Sequence, residues 1–295
     1  MSYQLPTGAA DSERLKFQSQ TLEKLTRSHI IESGLFDKSD KMEKIIVADI
    51  GCGIGSVTIE FLNLNNLEGI EGRIDKIYAF DNSSDALEET KKNVDQWYND
   101  NKHKVHAKVH YVLIDIREKV HAIVENLADI IFMRFVLNNI SIHTHGKAIQ
   151  NMKKMVKPNG QIICEETVWD NIMCSHQSHI VEEYKITLLN ERLNLGIDLN
   201  VGKYLNSLFI NEGLNIKSFK IIDRDISPSQ LVTMYKSLME INYKKLNEDN
   251  TKTLEEKEEI INMYHRWDNA FNSIPIDDPN VRVQTSGTSC IIATK

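Results

Sequence analysis

The chain has 295 residues, 42 of them acidic and 35 basic, for a formal charge of −7. That length supports one large α/β domain, or a core domain with a substrate-covering subdomain. The negative balance, without a basic block, argues against nucleic acid or an anionic membrane as partner.

Four scattered cysteines, Cys52, Cys164, Cys174 and Cys290, suggest neither a disulfide framework nor a zinc knuckle. No basic and apolar leader opens the sequence and no apolar run approaches transmembrane length, so a soluble cytoplasmic protein is expected. Tyr3 to Gly8 reads as loop, and Asp11 onward as a helix with Leu15, Leu22 and Leu25 at helical spacing.

Ile45, Ile46, Val47, Ala48 and Ile50 form an apolar, β-branched run, the pattern of a strand buried on both faces of a parallel sheet. Gly51, Cys52, Gly53, Ile54 and Gly55 follow it, and a helix begins near Ser56. Alternating glycines let the backbone turn sharply and let a ligand sit against the peptide planes. Asp49 discriminates among ligands: a carboxylate there repels a pyrophosphate but suits the α-ammonium and sulfonium of S-adenosylmethionine. The spacing Asp49-x-Gly51-x-Gly53-x-Gly55 resembles motif I of class I S-adenosylmethionine-dependent methyltransferases. The turn also half-fits a dinucleotide fingerprint with Ser56 in the third slot, so an NAD(P)-dependent oxidoreductase is an alternative that Asp49 argues against.

A second strand, Ile74 to Asp81, ends in an acid, and Ser83 or Ser84 can cap the next helix. A third runs from Val105 to Asp115 and a fourth from Ala128 into a polar loop at Asn139. The resemblance implies that Asp81 holds the ribose hydroxyls with Asn82 at the adenine edge, and that Asp115 and Ile116 bind and shield the adenine. In a doubly wound sheet the fourth strand neighbours the first, which points Arg134, Asn138 and Asn139 toward the reaction zone. The leader from Tyr3 to Gln18 resembles that of bacterial small-molecule methyltransferases, whose first helix folds over the cofactor, so Gln18 and Tyr3 are expected at the site.

His143 and His145 follow the fourth strand, and His176 and His179 come after the fifth. Surface histidines are commoner than metal ligands without a supporting cluster, so no metal is expected and His143 is the candidate general base. Lys157-Pro-Asn-Gly160 reads as a turn before the fifth strand, Gln161 to Glu165, with Glu165, Glu166 and Thr167 at its exit and Glu166 a candidate acceptor contact. A sixth strand is expected from Ile216 to Asp223 and a seventh, antiparallel, from Thr288 to Thr294. Between them lie two amphipathic helices, Ser229 to Leu246 and Thr253 to Phe271, the second opening on a Thr-Leu-Glu-Glu capping box.

The expectation is a Rossmann-like α/β fold whose seven-stranded, mostly parallel sheet has the order 3-2-1-4-5-7-6, with helices on both faces. Residues 1–40 form a helical cap, 41–225 and 281–295 the core, and 226–280 a helical lid. The expected activity is methyl transfer from S-adenosylmethionine to a small organic acceptor, leaving S-adenosylhomocysteine. Asp49, Gly51, Cys52, Gly53 and Gly55 would hold the methionyl end. An S-adenosylmethionine-binding protein that transfers no methyl is the other alternative, and the exposed first helix and lid are compatible with a homodimer.

Overall fold

The computed structural model describes residues 9–34, 36, 44–118 and 124–295. One mixed sheet contains β1 (Ile45–Ile50), β2 (Ile74–Asp81), β3 (Lys108–Leu113), β4 (Ala128–Arg134), β5 (Val156–Val168), β7 (Asn215–Ile226) and β8 (Val283–Thr294), with a short β6 (Met173–Cys174). Strands β3, β2, β1, β4 and β5 lie parallel in that order. β8 runs antiparallel to β5 and to β7, and β6 pairs with the start of β8. With β7 and β8 as the expected sixth and seventh strands, this is the 3-2-1-4-5-7-6 order.

Residue alternation distributes the central strands between two cores. Ile45, Val47, Ile130 and Phe132 pack in one core with Val57, Phe61 and Leu64 of α2 (Ser56–Leu64) and Val94 and Trp97 of α3 (Ser84–Asp100). Ala48, Ile50, Ile131 and Met133 pack in the other with Ala148, Ile149 and Met152 of α4 (His145–Met155) and Phe209 of α6 (Leu205–Asn211). Helices on both faces explain why β1 and β4, apart from Asp49, Asp129 and Arg134, are apolar rather than alternating. Phe61 meets Phe132 edge to face at 5.9 Å, and truncating either buried ring would cost about 3–5 kcal/mol.

A third core joins α5 (Ser178–Asn194), α7 (Pro228–Glu248) and α8 (Leu254–Asn272). Tyr235 stacks on Phe271 at 3.7 Å, while the Tyr235 and Tyr243 hydroxyls donate to the two oxygens of Asp268. Both long helices begin with capping boxes, Ser227 with Gln230 and Thr253 with Glu256, which fix their starts. No helix among the described residues is long and apolar enough to cross a membrane.

The fifth strand differs from the sequence expectation. Lys157-Pro-Asn-Gly160 is not a separate turn but lies within β5, where Asn159 takes φ 65° and the pairing with β4 shifts between Ala128 and Ile130. An irregularity absorbs the proline and asparagine without ending the strand.

Candidate cofactor and acceptor site

β1 and β2 bring the glycine turn and Asp81 together. The Gly51 and Cys52 N–H groups both donate to the Phe80 carbonyl, at 2.8 and 3.0 Å, so the turn folds back over the end of β2. Gly51, Gly53 and Gly55 all have left-handed φ, +69°, +56° and +82°. Their surroundings differ. A Cβ on Gly51 would overlap Val136 Cγ2 and one on Gly55 would lie 2.7 Å from Thr90 Cγ2, whereas one on Gly53 would meet nothing within 4 Å. Two glycines therefore allow the turn to pack, and the third has open space on its Cβ side, room in which a ligand can approach the backbone.

Thr90 Oγ1 donates to the Gly53 carbonyl at 2.7 Å. The Gly53 N–H donates to Asp81 Oδ2 at 2.9 Å, and the Ser83 N–H to Oδ1 at 3.0 Å. Each carboxylate oxygen keeps a second lone pair, so Asp81 can still accept from a vicinal diol. Burial raises its pKa, opposed by these backbone hydrogen bonds.

Asp49 is buried, and its Oδ2 accepts from Thr58 Oγ1 at 2.6 Å. Burial pushes its pKa up to about 6, against the Thr58 hydrogen bond and the field of Arg134. A buried carboxylate behind an open glycine turn suits a cationic amine, and the donor set as a whole fits S-adenosylmethionine. Asp115 is clasped by Arg117, with Nε–Oδ1 at 2.8 Å and Nη2–Oδ2 at 2.5 Å, which holds its carboxyl below the usual range with help from the Asn82 side chain. Ile116 is buried, and its carbonyl accepts from Asn151 Nδ2 at 2.6 Å.

At the exit of β4, Arg134 Nη1 donates to Thr26 Oγ1 at 3.1 Å. Thr26 in turn donates to Glu165 Oε2 at 2.8 Å, and His29 Nδ1 lies 2.6 Å from Glu165 Oε1. This buried network fixes α1 (Ala9–Glu32) to the ends of β4 and β5. Among the described residues, His29, Glu165 and Cys290 are close enough to share a cation, but the short His29–Glu165 contact is that of a hydrogen bond.

Glu166 and Asn138 are directed into the loop after β4. Glu166 accepts the backbone N–H groups of Val136, Leu137 and Asn138 at 3.0, 2.7 and 3.2 Å, and burial pushes its pKa up to about 8. Asn138 Nδ2 donates to Thr167 Oγ1 at 2.9 Å. His143 is exposed on a 3-10 turn, while His145 is buried with Nε2 2.9 Å from the Leu137 carbonyl. His179 is exposed on α5. Tyr3 and the side chain of Gln18 lie outside the described residues.

Sequence reasoning missed two residues. Phe135 has φ +58°, a left-handed backbone that costs a non-glycine residue about 1–3 kcal/mol and persists where the surrounding structure holds it. It forms, with Ile226 and Met234, the apolar wall of a cleft whose polar side is Thr21, Arg224, Thr285 and Ser286. Arg224 sits in the Asp-Arg-Asp run of β7, where alternation signals an exposed strand and nothing distinguishes the arginine. On the helices after β7, Met234 reaches this cleft, whereas Tyr235, Met239, Tyr264 and Trp267 are buried in the helical core.

Residues 48–162 match the family model described as a methyltransferase domain. The human tRNA N(3)-cytidine methyltransferase METTL2B is 25% identical over 170 residues, 54% of this chain and 42% of that protein. The probable cobalt-precorrin-6B C(15)-methyltransferase (decarboxylating) of Methanococcus vannielii is 29% identical over 119 residues, 37% of this chain and 61% of that protein. The chain thus matches less than two thirds of the length of either curated relative. A Galdieria sulphuraria structure assigned as a sarcosine dimethylglycine methyltransferase superposes with a TM-score of 0.51 at 13% identity, over 94% of this chain and 86% of that one, a likeness of fold.

Proposed function

We propose that this chain, whose residues 48–162 match a methyltransferase-domain model, is a class I S-adenosylmethionine-dependent methyltransferase that transfers the methyl group of that cofactor to a small organic acceptor. The observation that carries this reading is an uncovered Gly53 hydrogen-bonded to the Asp81 carboxylate, in the turn that follows the buried Asp49. In this reading Asp49 and the Gly51–Gly55 turn hold the methionyl end, Asp81 the ribose, and Asn82, Asp115 and Ile116 the adenine.

The bound cofactor supplies an electrophilic methyl on a sulfonium whose leaving thioether is neutral. What remains for the protein is to hold a nucleophile in line at near-attack distance and to exclude water. Helices α7 and α8, inserted between β7 and β8, suit the second task as a lid over a small molecule. Where the acceptor must lose a proton, His143 is the candidate base.

A tRNA acceptor is the second reading, favoured by the human relative. A formal charge of −7 weighs against it, because affinity for nucleic acid rests on cations along the phosphate backbone. Release of S-adenosylhomocysteine, measured with a panel of small amines, thiols and phenols and separately with total tRNA, decides between them. Turnover with tRNA alone would refute the small-acceptor reading.

A further inference from the structure

Among the described residues, Arg224 has no carboxylate in ion-pair contact. It stands on β7 directly across from Thr285 of β8 and lines the cleft beside Phe135. Its Nη1 reaches the Thr21 carbonyl at 3.5 Å, a weak contact, and its Nε is buried without a hydrogen-bond partner. No carboxylate among the described residues comes within 4.0 Å of the guanidinium. Glu165 attracts it from farther away, but both Glu165 oxygens are engaged by His29 and Thr26, and Arg134 adds a like charge. Asp223 and Asp225 flank Arg224 in sequence, but alternation turns them to the other side of the strand, where both are exposed and Asp223 accepts from Asn171.

The opposite strand is built to match. Ile222 pairs with Thr288 whereas Arg224 pairs with Thr285, so Ser286 and Gly287 together face Asp223. An extra residue in one strand of a pair re-aims the side chains next to it. As a result Thr285 and Ser286, consecutive in β8, both line the cleft, where an unbroken strand would present one of them. Two hydroxyls and a guanidinium with no ion-pair partner among the described residues therefore line one cleft beside an apolar wall. Arg224 is half-buried with its Nε fully buried, and the part of its charge withdrawn from water is unfavourable unless negative charge arrives to meet it.

We infer that this cleft binds the anionic group of the methyl acceptor, a carboxylate or a phosphate monoester, with Arg224 as its ion-pair partner and Thr285 and Ser286 as hydrogen-bond donors. The guanidinium fork matches either anion bidentately. The inference rests on the methyl-transfer reading in taking the occupant to be the acceptor. The location supports this: Phe135 in the cleft wall adjoins Val136, whose side chain packs on Gly51 of the cofactor turn. One cation in a narrow cleft suits a small anion better than a polyanion, which needs a row of cations.

The test titrates the full chain, with and without S-adenosylhomocysteine, against benzoate and phenyl phosphate and their uncharged counterparts benzamide and phenol, following binding by ligand-observed NMR and calorimetry. At least one anion should bind about tenfold or more tightly than its neutral counterpart and lose about tenfold in Arg224→Gln, with partial retention in Arg224→Lys. Binding of benzoate alone identifies a carboxylate site, and of phenyl phosphate alone a phosphate site. S-adenosylhomocysteine affinity should be the same in wild type and both variants, which shows that they are folded. Anions that bind no better than the neutral probes, or equally well to Arg224→Gln, would overturn the inference. So would total tRNA that binds while neither small anion does. A wild-type chain that ignores S-adenosylhomocysteine refutes the cofactor reading instead, and the anion titrations without it still decide the role of Arg224.

Discussion

The Gly53 N–H donates to Asp81 Oδ2 at 2.9 Å, so the glycine turn after β1 and the acid closing β2 are one unit. In the proposed reading this hydrogen bond sets where the nucleoside lies, because the turn and the carboxylate are fixed relative to each other. Replacing Asp81 with Ala should weaken S-adenosylhomocysteine binding by about tenfold or more, the usual effect of removing a charged acceptor. Calorimetric titration checks it, and unchanged affinity would sink the ribose assignment.

The glycines of the turn should respond differently to alanine. Gly51→Ala combines a left-handed φ of +69° with overlap on Val136 Cγ2, so it should lower stability by about 2–4 kcal/mol. Gly53→Ala has φ +56° but no neighbour within 4 Å, so its cost should be about 1–2 kcal/mol, with a disproportionate loss of cofactor affinity. Denaturant unfolding and ligand titration of both variants separate packing from ligand approach.

Cofactor binding should depend on pH through Asp49. Its carboxyl, pushed up to about 6 by burial, is neutral below that pH and cannot pair with an α-ammonium. Affinity for S-adenosylhomocysteine should therefore rise from pH 5 to pH 7.5, and Asp49→Asn should flatten the rise. A profile unchanged by the substitution would assign the dependence to another group.

Glu166 makes the opposite kind of prediction, for stability. Its pKa is raised from an ordinary 4.5 to about 8, so between these values the folded chain holds a proton that the unfolded chain has released. This contribution is fully present below about pH 4.5 and is lost as pH rises through about 8, with a slope near 1.4 kcal/mol per unit for this group alone. Unfolding midpoints of the wild type and Glu166→Gln should diverge across that window, the variant showing the shallower decline.

Much of the fold was legible because it is written in local periodicity and spacing. The apolar run of β1, the alternating glycines, the acid at Asp81 and the capping box at Thr253 each specify local geometry without help from distant residues. Topology then follows from the parallel strands and the long insertion before β8. The site was less legible where roles depend on tertiary neighbours. Nothing in the sequence distinguishes Glu166, turned inward to three backbone N–H groups, from an acid facing an acceptor. Arg224 acquires its place from a register shift in β8, some sixty residues away in the chain, and Phe135 takes its left-handed backbone where β4 gives way to the loop that Glu166 holds. The apolar residues of α7 and α8 share one helical pattern, and packing alone decides that Tyr235 and Trp267 enter the core while Met234 reaches the cleft.

The most direct test is parallel calorimetric titration of the ligand-stripped protein with S-adenosylmethionine, S-adenosylhomocysteine and NADH. The account predicts saturable one-site binding of the first two and none of the third, because buried Asp49 stands where a pyrophosphate would bring negative charge. Binding of NADH without either adenosyl compound would contradict it and overturn the reading of the Gly51–Gly55 turn.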